Sequence, residues 1–190
     1  MSNTDTLVKT SKFLSLVLRH APESIGLSLD DQGWADIDSL TTCAAAHGMH
    51  LDRDLIDAVV AQNDKKRFAL SQDGQLIRAV QGHSTASVNI DHVAKTAPDV
   101  LYHGTATRFL DSIRQQGLLP GKRHHVHLSA DVQTAIRVGQ RHGKPVVLTI
   151  DTARMQADGL AFFQADNGVW LTATVPTIYI YSTVTSPALE

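Results

Sequence analysis

Leu7, Leu14, Val17 and Leu18 fall on one stripe of a 3.6-residue repeat, which predicts a helix over residues 5–19. Asn3 or Thr4 is available to cap its start, and Pro22 forbids its continuation. Leu27 and Leu29 predict a short strand, and Asp30-Asp31-Gln32-Gly33 a turn into Trp34. Asp38 can cap a second helix that Gly48 closes. Asp52 can cap a third, whose buried face is Leu55, Ile56, Val59 and Val60. Residues 67–70 and 75–79 flank Gln72-Asp73-Gly74 as a hairpin would. Three helices ending in a hairpin describe a winged-helix-like lobe over residues 1–95, a shape often used on nucleic acids, although shape alone assigns no function.

After a connection over residues 82–98, closed by Pro98, the pattern changes. Leu101 to Thr105 predicts a strand. A helix carrying Phe109, Ile113 and Leu118 follows, stopped by Gly117, and then comes a second strand over 123–129. In that strand, alternation sends His125, His127 and Ser129 one way and His124, Val126 and Leu128 the other. Asp131 can cap a helix running to Gly143, and Pro145 to Ile150 reads as a central strand. Phe162-Phe163 and Val169-Trp170-Leu171 flank Asn167-Gly168, a two-residue hairpin signal, and Ile178 to Tyr181 supplies a last strand. The fold class is therefore α+β, with a mixed β-sheet lobe over residues 96–190.

Charge narrows the partners. The formal net charge is −2, with 9 basic and 12 acidic residues in 1–95 and 8 basic and 7 acidic in the remainder, so any nucleic-acid contact has to be local. The single cysteine, Cys43, makes no internal disulfide, and no basic-then-apolar segment opens the chain, so the cytoplasm is the expected compartment. A monomer is the expected state, although nothing in the sequence speaks to it. No apolar run approaches membrane-spanning length.

The histidines at 124, 125 and 127 raise the question of metal. A structural zinc site wants four converging ligands, and one cysteine with no paired motif does not supply them, so no metal is expected. A Gly-x-Ser-x-Gly elbow, a Gly-x-Gly-x-x-Gly turn and a Walker loop are all missing from the sequence. What remains is a set of histidines and small residues with arginines at 19, 67 and 123. Guanidinium groups stay charged and grip two phosphate oxygens at once, so these suit a phosphate. Each has a structural alternative: Arg19-His20 can simply complement the helix C-terminus, and Lys65-Lys66-Arg67 can be a solvated hairpin edge.

The runs Ser-Lys-Phe-Leu-Ser-Leu-Val-Leu-Arg-His (11–20), Lys-Lys-Arg-Phe-Ala-Leu (65–70), Ile-Arg-Ala-Val-Gln-Gly-His-Ser (77–84), Leu-Tyr-His-Gly-Thr (101–105), Arg-His-His-Val-His-Leu-Ser (123–129) and Asn-Gly-Val-Trp-Leu-Thr (167–172) closely resemble the RNA 2′-phosphotransferase family. They stand in the family's order, and the resemblance covers about residues 9–182. It implies an enzyme that removes an internal 2′-phosphate from RNA, in some organisms the splice-junction phosphate of tRNA, with NAD as acceptor. It also implies an ADP-ribosyltransferase-like fold for the C-terminal lobe. In the family's scheme the 2′-phosphate attacks the nicotinamide-bearing ribose carbon and nicotinamide leaves. The 2″-hydroxyl then attacks phosphorus, giving 2′-hydroxyl RNA and ADP-ribose 1″,2″-cyclic phosphate.

The family's essential positions fall on Arg19, His20, Arg67 and Arg123. The resemblance implies that Arg19 and Arg67 hold the 2′-phosphate and that His20 shuttles a proton, as an imidazole titrating near neutrality can. Arg123 is assigned either to that phosphate or to the cofactor's pyrophosphate. His103, Gly104, Thr105, His125, His127, Ser129 and Gly168 are implied to cradle NAD, with Gly104 letting backbone approach the ligand. Ala165 departs from the small hydroxyl residue expected before Asp166-Asn167-Gly168. The run 81–84 has two readings, a ligand contact or a packed connection.

Other functions compete. An ADP-ribosyltransferase acting on protein usually relies on a glutamate near the final strands; only Glu23 and Glu190 are present, neither suitably placed, and Asp166 or Asp158 would have to substitute. Transfer to a terminal phosphate of nucleic acid would use the same arginines. A noncatalytic NAD-sensing regulator would need a broad basic surface that the composition does not offer.

Overall fold

The computed structural model describes residues 3–62, 66–85 and 87–185. The chain divides into two compact units, residues 1–91 and 92–190.

The first unit is built on α1 (Asn3–Val17). Asn3 and Thr4 belong to the helix itself rather than capping it, with Asp5 placed in the first turn where the helix dipole favours an acid. Leu14, Val17 and Leu18 are fully buried, each contributing about 1.5–3 kcal/mol by leaving water, so the end of the helix is firmly seated. Leu27 is buried, but Leu27 and Leu29 form no strand. The strand lies further on, at β1 (Trp34–Asp36), after the Asp30 carboxylate has accepted bonds from the Gln32 and Trp34 amides. Asp36, still extended, caps α2 (Ile37–Ala46) by accepting from Ser39 N at 2.8 Å, so Asp38 sits inside the first turn and is not the cap. Asp52 caps α3 (Arg53–Ala61) as expected.

β2 (Phe68–Leu70) and β3 (Leu76–Ala79) form the hairpin around residues 72–74, and β1 pairs with the other edge of β3. The sheet order is β1-β3-β2, antiparallel throughout. Lys65 lies outside the described residues.

The second unit opens with β4 (Val100–Ala106), a 3-10 turn at Thr107–Phe109, and α4 (Leu110–Gln116). β5 (Val126–Leu128) is shorter than the pattern suggests, leaving His124 and His125 on the approach to it. Asp131 caps α5 (Val132–Gln140), which ends three residues before Gly143. β6 (Pro145–Asp151) runs into α6 (Thr152–Ala157); β7 (Phe163–Gln164) and β8 (Trp170–Thr172) follow. A 3-10 turn at Thr177–Tyr179, set up by Pro176, delays the last strand, β9 (Ile180–Thr185).

Two three-stranded sheets result, β4-β6-β9 and β5-β8-β7, and β6 is central to the first. Every described ladder is antiparallel, which corrects the expectation of a mixed sheet. Alternating strands and helices suggested parallel crossovers. Instead β5 joins a different sheet from β4, and β6 returns antiparallel to β4.

The Tyr102 and Ser129 backbones exchange both hydrogen bonds, at 2.9 and 2.7 Å, which ties β4 to the end of β5. The core comprises Leu101, Leu128, Leu148, Ile150, Met155 and Phe162.

Candidate functional site

In the first unit the chain ends α1, completes one more turn, and places Arg19 and His20 at its end. The segment after the hairpin then comes back to them. Val80 N–H bonds the Arg67 carbonyl at 3.0 Å, Ser84 N–H bonds the Arg19 carbonyl at 2.9 Å, and the Thr85 hydroxyl donates to the same carbonyl at 3.2 Å. A 3.0 Å hydrogen bond joins Ser84 Oγ to His20 Nδ1, fixing one edge of the imidazole.

Gly82 sets Arg19. Its φ is +81°, and a Cβ added there would lie 2.0 Å from Arg19 Nη2 and 3.0 Å from Cζ. The guanidinium therefore rests against the bare Cα. His20 and Arg67 line one groove of about 730 Å³ with Ser11, Lys12 and Ser15 of α1. So His20 and Arg67 share a groove, while Arg19 packs under Gly82, and the segment 80–85 bonds to the stretches that carry all three. Residues 81–84 are the link between them, in contact with the arginine and the histidine.

In the second unit, His103 Nδ1 lies 3.0 Å from the His127 carbonyl. A carbonyl only accepts, so Nδ1 carries the proton and Nε2 is an acceptor. Burial pushes the His103 pKa below that of an ordinary imidazole, against the bond to His127 that raises it, and nearby Arg123 and His142 lower it further. His103 is thus a neutral donor–acceptor at pH 7. Burial also lowers the pKa of Arg123, though a guanidinium remains charged. The His125 ring stands edge-on to Phe163, with centroids 5.6 Å apart, and to His92 at 5.9 Å; its pKa is lowered by burial and by the histidines at 92 and 124. His92 carried no sequence signal, because no period or motif marks it.

Of the remaining expected cofactor residues, Ser129 is held by its backbone bridge to Tyr102. Thr105 is 5% exposed, and Gly168 occupies the tip of the β7–β8 hairpin with φ +82°. Gly104 has a structural requirement of its own. A Cβ on it would fall 1.8 Å from the Ala135 carbonyl oxygen, and one on Gly139 would fall 2.5 Å from the Thr105 carbonyl oxygen. The backbones of β4 and α5 touch at these two glycines, so packing alone demands them. Ala165 is buried, with its N–H bonded to the Val169 carbonyl. Among the described residues, no group of three or more His, Cys, Asp or Glu is arranged to hold a metal, and no helix is long and apolar enough to cross a membrane.

Comparison with known proteins addresses the whole chain. The family model described as RNA 2′-phosphotransferase, Tpt1 / KptA family, matches residues 5–174. A probable RNA 2′-phosphotransferase of Pseudomonas aeruginosa is 63% identical over 175 residues, covering 92% of this chain and 96% of that protein. The RNA 2′-phosphotransferase of Escherichia coli strain K12 is 59% identical over 178 residues, covering 94% and 97%. A probable RNA 2′-phosphotransferase of Pseudomonas fluorescens is 61% identical over 171 residues, covering 90% and 94%. With the motifs in order and the match running almost end to end, this chain belongs to the RNA 2′-phosphotransferase family.

Proposed function

We propose that this protein is an NAD-dependent RNA 2′-phosphotransferase, moving an internal RNA 2′-phosphate to NAD by way of a 2′-phospho-ADP-ribosylated RNA. The reading is supported by the return of segment 80–85 to the stretches that carry Arg19, His20 and Arg67, with Ser84 on His20 and Gly82 under Arg19. On this reading the first unit is a winged-helix-like RNA-binding lobe, and the second an ADP-ribosyltransferase-like lobe that takes NAD.

A dianionic phosphate needs fixed positive charge. Arg19 and Arg67 supply it as planar forks that hold the oxygens in one orientation, and positioned donors of this kind are each worth about 100- to 1,000-fold in rate. His20, held at Nδ1 by Ser84, is the group assigned to proton transfer. As base it takes the ribose 2″-hydroxyl proton while that oxygen attacks phosphorus; as acid it returns the proton to the departing RNA 2′-oxygen.

The second unit's groups suit a dinucleotide. Arg123 offers charge for the pyrophosphate, neutral His103 offers an acceptor nitrogen, and the His125–Phe163–His92 rings offer faces and edges for a base or sugar. When bound, NAD supplies the ribose carbon that accepts the phosphate and nicotinamide as the leaving group.

The test is incubation of purified protein with a 2′-phosphorylated oligonucleotide, with and without NAD. Expected products, formed only with NAD, are 2′-hydroxyl RNA, nicotinamide and ADP-ribose 1″,2″-cyclic phosphate, and His20→Ala should accumulate the ADP-ribosylated RNA. Release of inorganic phosphate without NAD would overturn the reading.

A further inference from the structure

The groove that holds His20 and Arg67 extends well beyond them along the outer face of α1. Thr4, Leu7, Val8, Ser11, Lys12, Ser15 and Leu16 form that wall, with Val59 of α3 and Gln62 at that helix's C-cap opposite. Two features distinguish it. Val8 is 50% exposed and Leu16 48%, so aliphatic side chains are presented to whatever enters. No carboxylate stands among the described lining residues, and the charged or titratable ones are Lys12, Arg67 and His20, although residues 1–95 carry more acids than bases.

We propose that this groove is the track for the RNA strand on one side of the reacting 2′-phosphate. Lys12 neutralises a neighbouring phosphodiester, Ser11 and Ser15 bond the backbone, and Val8 and Leu16 pack against a base or ribose. The inference rests on the function proposed above and adds the residues that read the rest of the strand.

The chemistry matches the occupant. A single-stranded nucleic acid offers alternating charge and flat apolar surface, and its binding sites combine isolated cations with surfaces on which bases lie. Val8 and Leu16 are eight helical residues apart, about 12 Å along the axis, so the wall outruns a lone phosphate and leads away from His20 and Arg67. A volume of about 730 Å³ lies within the range of about 300–1,000 Å³ typical of ligand clefts. One lysine beside hydroxyls and aliphatics is what a short strand needs. It also explains how a protein of net charge −2 handles RNA without a broad basic surface.

The experiment compares two RNAs bearing the same internal 2′-phosphate, one a dinucleotide and one a longer single strand. The readout is the ratio of kcat/KM on the long RNA to that on the short. Wild-type protein favours the long strand, and Lys12→Ala and Leu16→Ser, both at exposed positions, lower the ratio several-fold. Lys12→Ala also flattens the dependence of log kcat/KM on log salt by about 0.7, the loss of one phosphate contact to a single strand. Lys9→Ala, on the same helix but outside the groove, keeps the wild-type ratio.

A wild-type ratio near one, or ratios unchanged in both groove variants, would overturn the proposal. Fluorescence anisotropy with plain single-stranded RNA separates this failure from failure of the proposed reaction. Binding that depends on Lys12 and Leu16 without turnover supports the track and refutes the reaction; turnover indifferent to both residues does the reverse.

Discussion

Gly82→Ala separates the placement of a single guanidinium from the stability of the fold around it. The new Cβ would stand 2.0 Å from Arg19 Nη2, where ordinary contact begins near 3.4 Å, so the nitrogen must withdraw by about 1.4 Å. The obstacle is the far end of a flexible side chain, so that movement is cheap for the fold. The left-handed backbone at φ +81° adds about 1–2 kcal/mol of strain, which lowers Tm by a few degrees. Catalysis is less forgiving, since a 1 Å misplacement of a positioning group costs about 100-fold, or about 2.7 kcal/mol in the barrier. Gly82→Ala should therefore lose about two orders of magnitude in kcat/KM on a 2′-phosphorylated oligonucleotide while remaining folded at 25 °C. Gly74→Ala is the matched control. It has φ +72° and its Cβ would meet Arg53 Nη2 at 2.8 Å, so it carries similar backbone strain with no tie to Arg19. Stopped-time product assays with circular dichroism melts would read both quantities. Near-wild-type turnover in Gly82→Ala, or an equal loss in Gly74→Ala, would refute the role given to Arg19.

Arg67→Lys keeps the charge and loses the fork; turnover should fall on the order of 100-fold, and rates close to wild type would argue against a two-oxygen grip. Ser84→Ala removes a hydrogen bond worth about 0.5–1.5 kcal/mol from His20, so kcat should drop by up to about tenfold and the pH–rate profile should shift, whereas a purely structural serine would leave that profile in place. Stability should also follow pH. His103 has its folded pKa depressed below the unfolded value of 6.5, so its contribution is complete above pH 6.5 and declines as pH falls toward the folded pKa, where the unfolded chain binds more protons. Urea midpoints for the wild type should drop between about pH 7.5 and 5.5, and His103→Gln should show a shallower drop; an identical slope would contradict the burial of a neutral ring.

Much of the chain's order was legible from periodicity. Asp52 and Asp131 cap where their spacing put them, and the hairpins at 72–74 and 167–168 form. The misses share a cause, since local pattern does not say which element a strand pairs with. Leu27 and Leu29 look like a strand, yet the edge of β3 is filled by Trp34–Asp36, and the strands expected in one mixed sheet divide between two antiparallel ones, β5 joining β8. The site showed the same limit. Arginines and histidines could be picked by residue type and motif, but Ser84 acquires its role from a bond spanning 64 positions, which no window of sequence contains. The packing reason for Gly104, the carbonyl of Ala135 against its Cα, is likewise set by a contact 31 positions along the chain. The face of α1 formed by Lys12, Ser15 and Leu16 carries no sequence signal, because a mixed, exposed face has the pattern of ordinary solvent surface and only the fold puts a groove beside it.

The seam between Gly104 and Gly139 has a consequence for how this protein can be changed. Side chains that collide can swing to another rotamer or be trimmed by a second substitution, but here both obstacles are main-chain oxygens, which no neighbouring replacement removes. In a library randomised at the two positions, glycine should be the residue recovered at each. Tuning of the histidine-bearing strand would then have to come from its other neighbours, because this contact is locked by backbone alone.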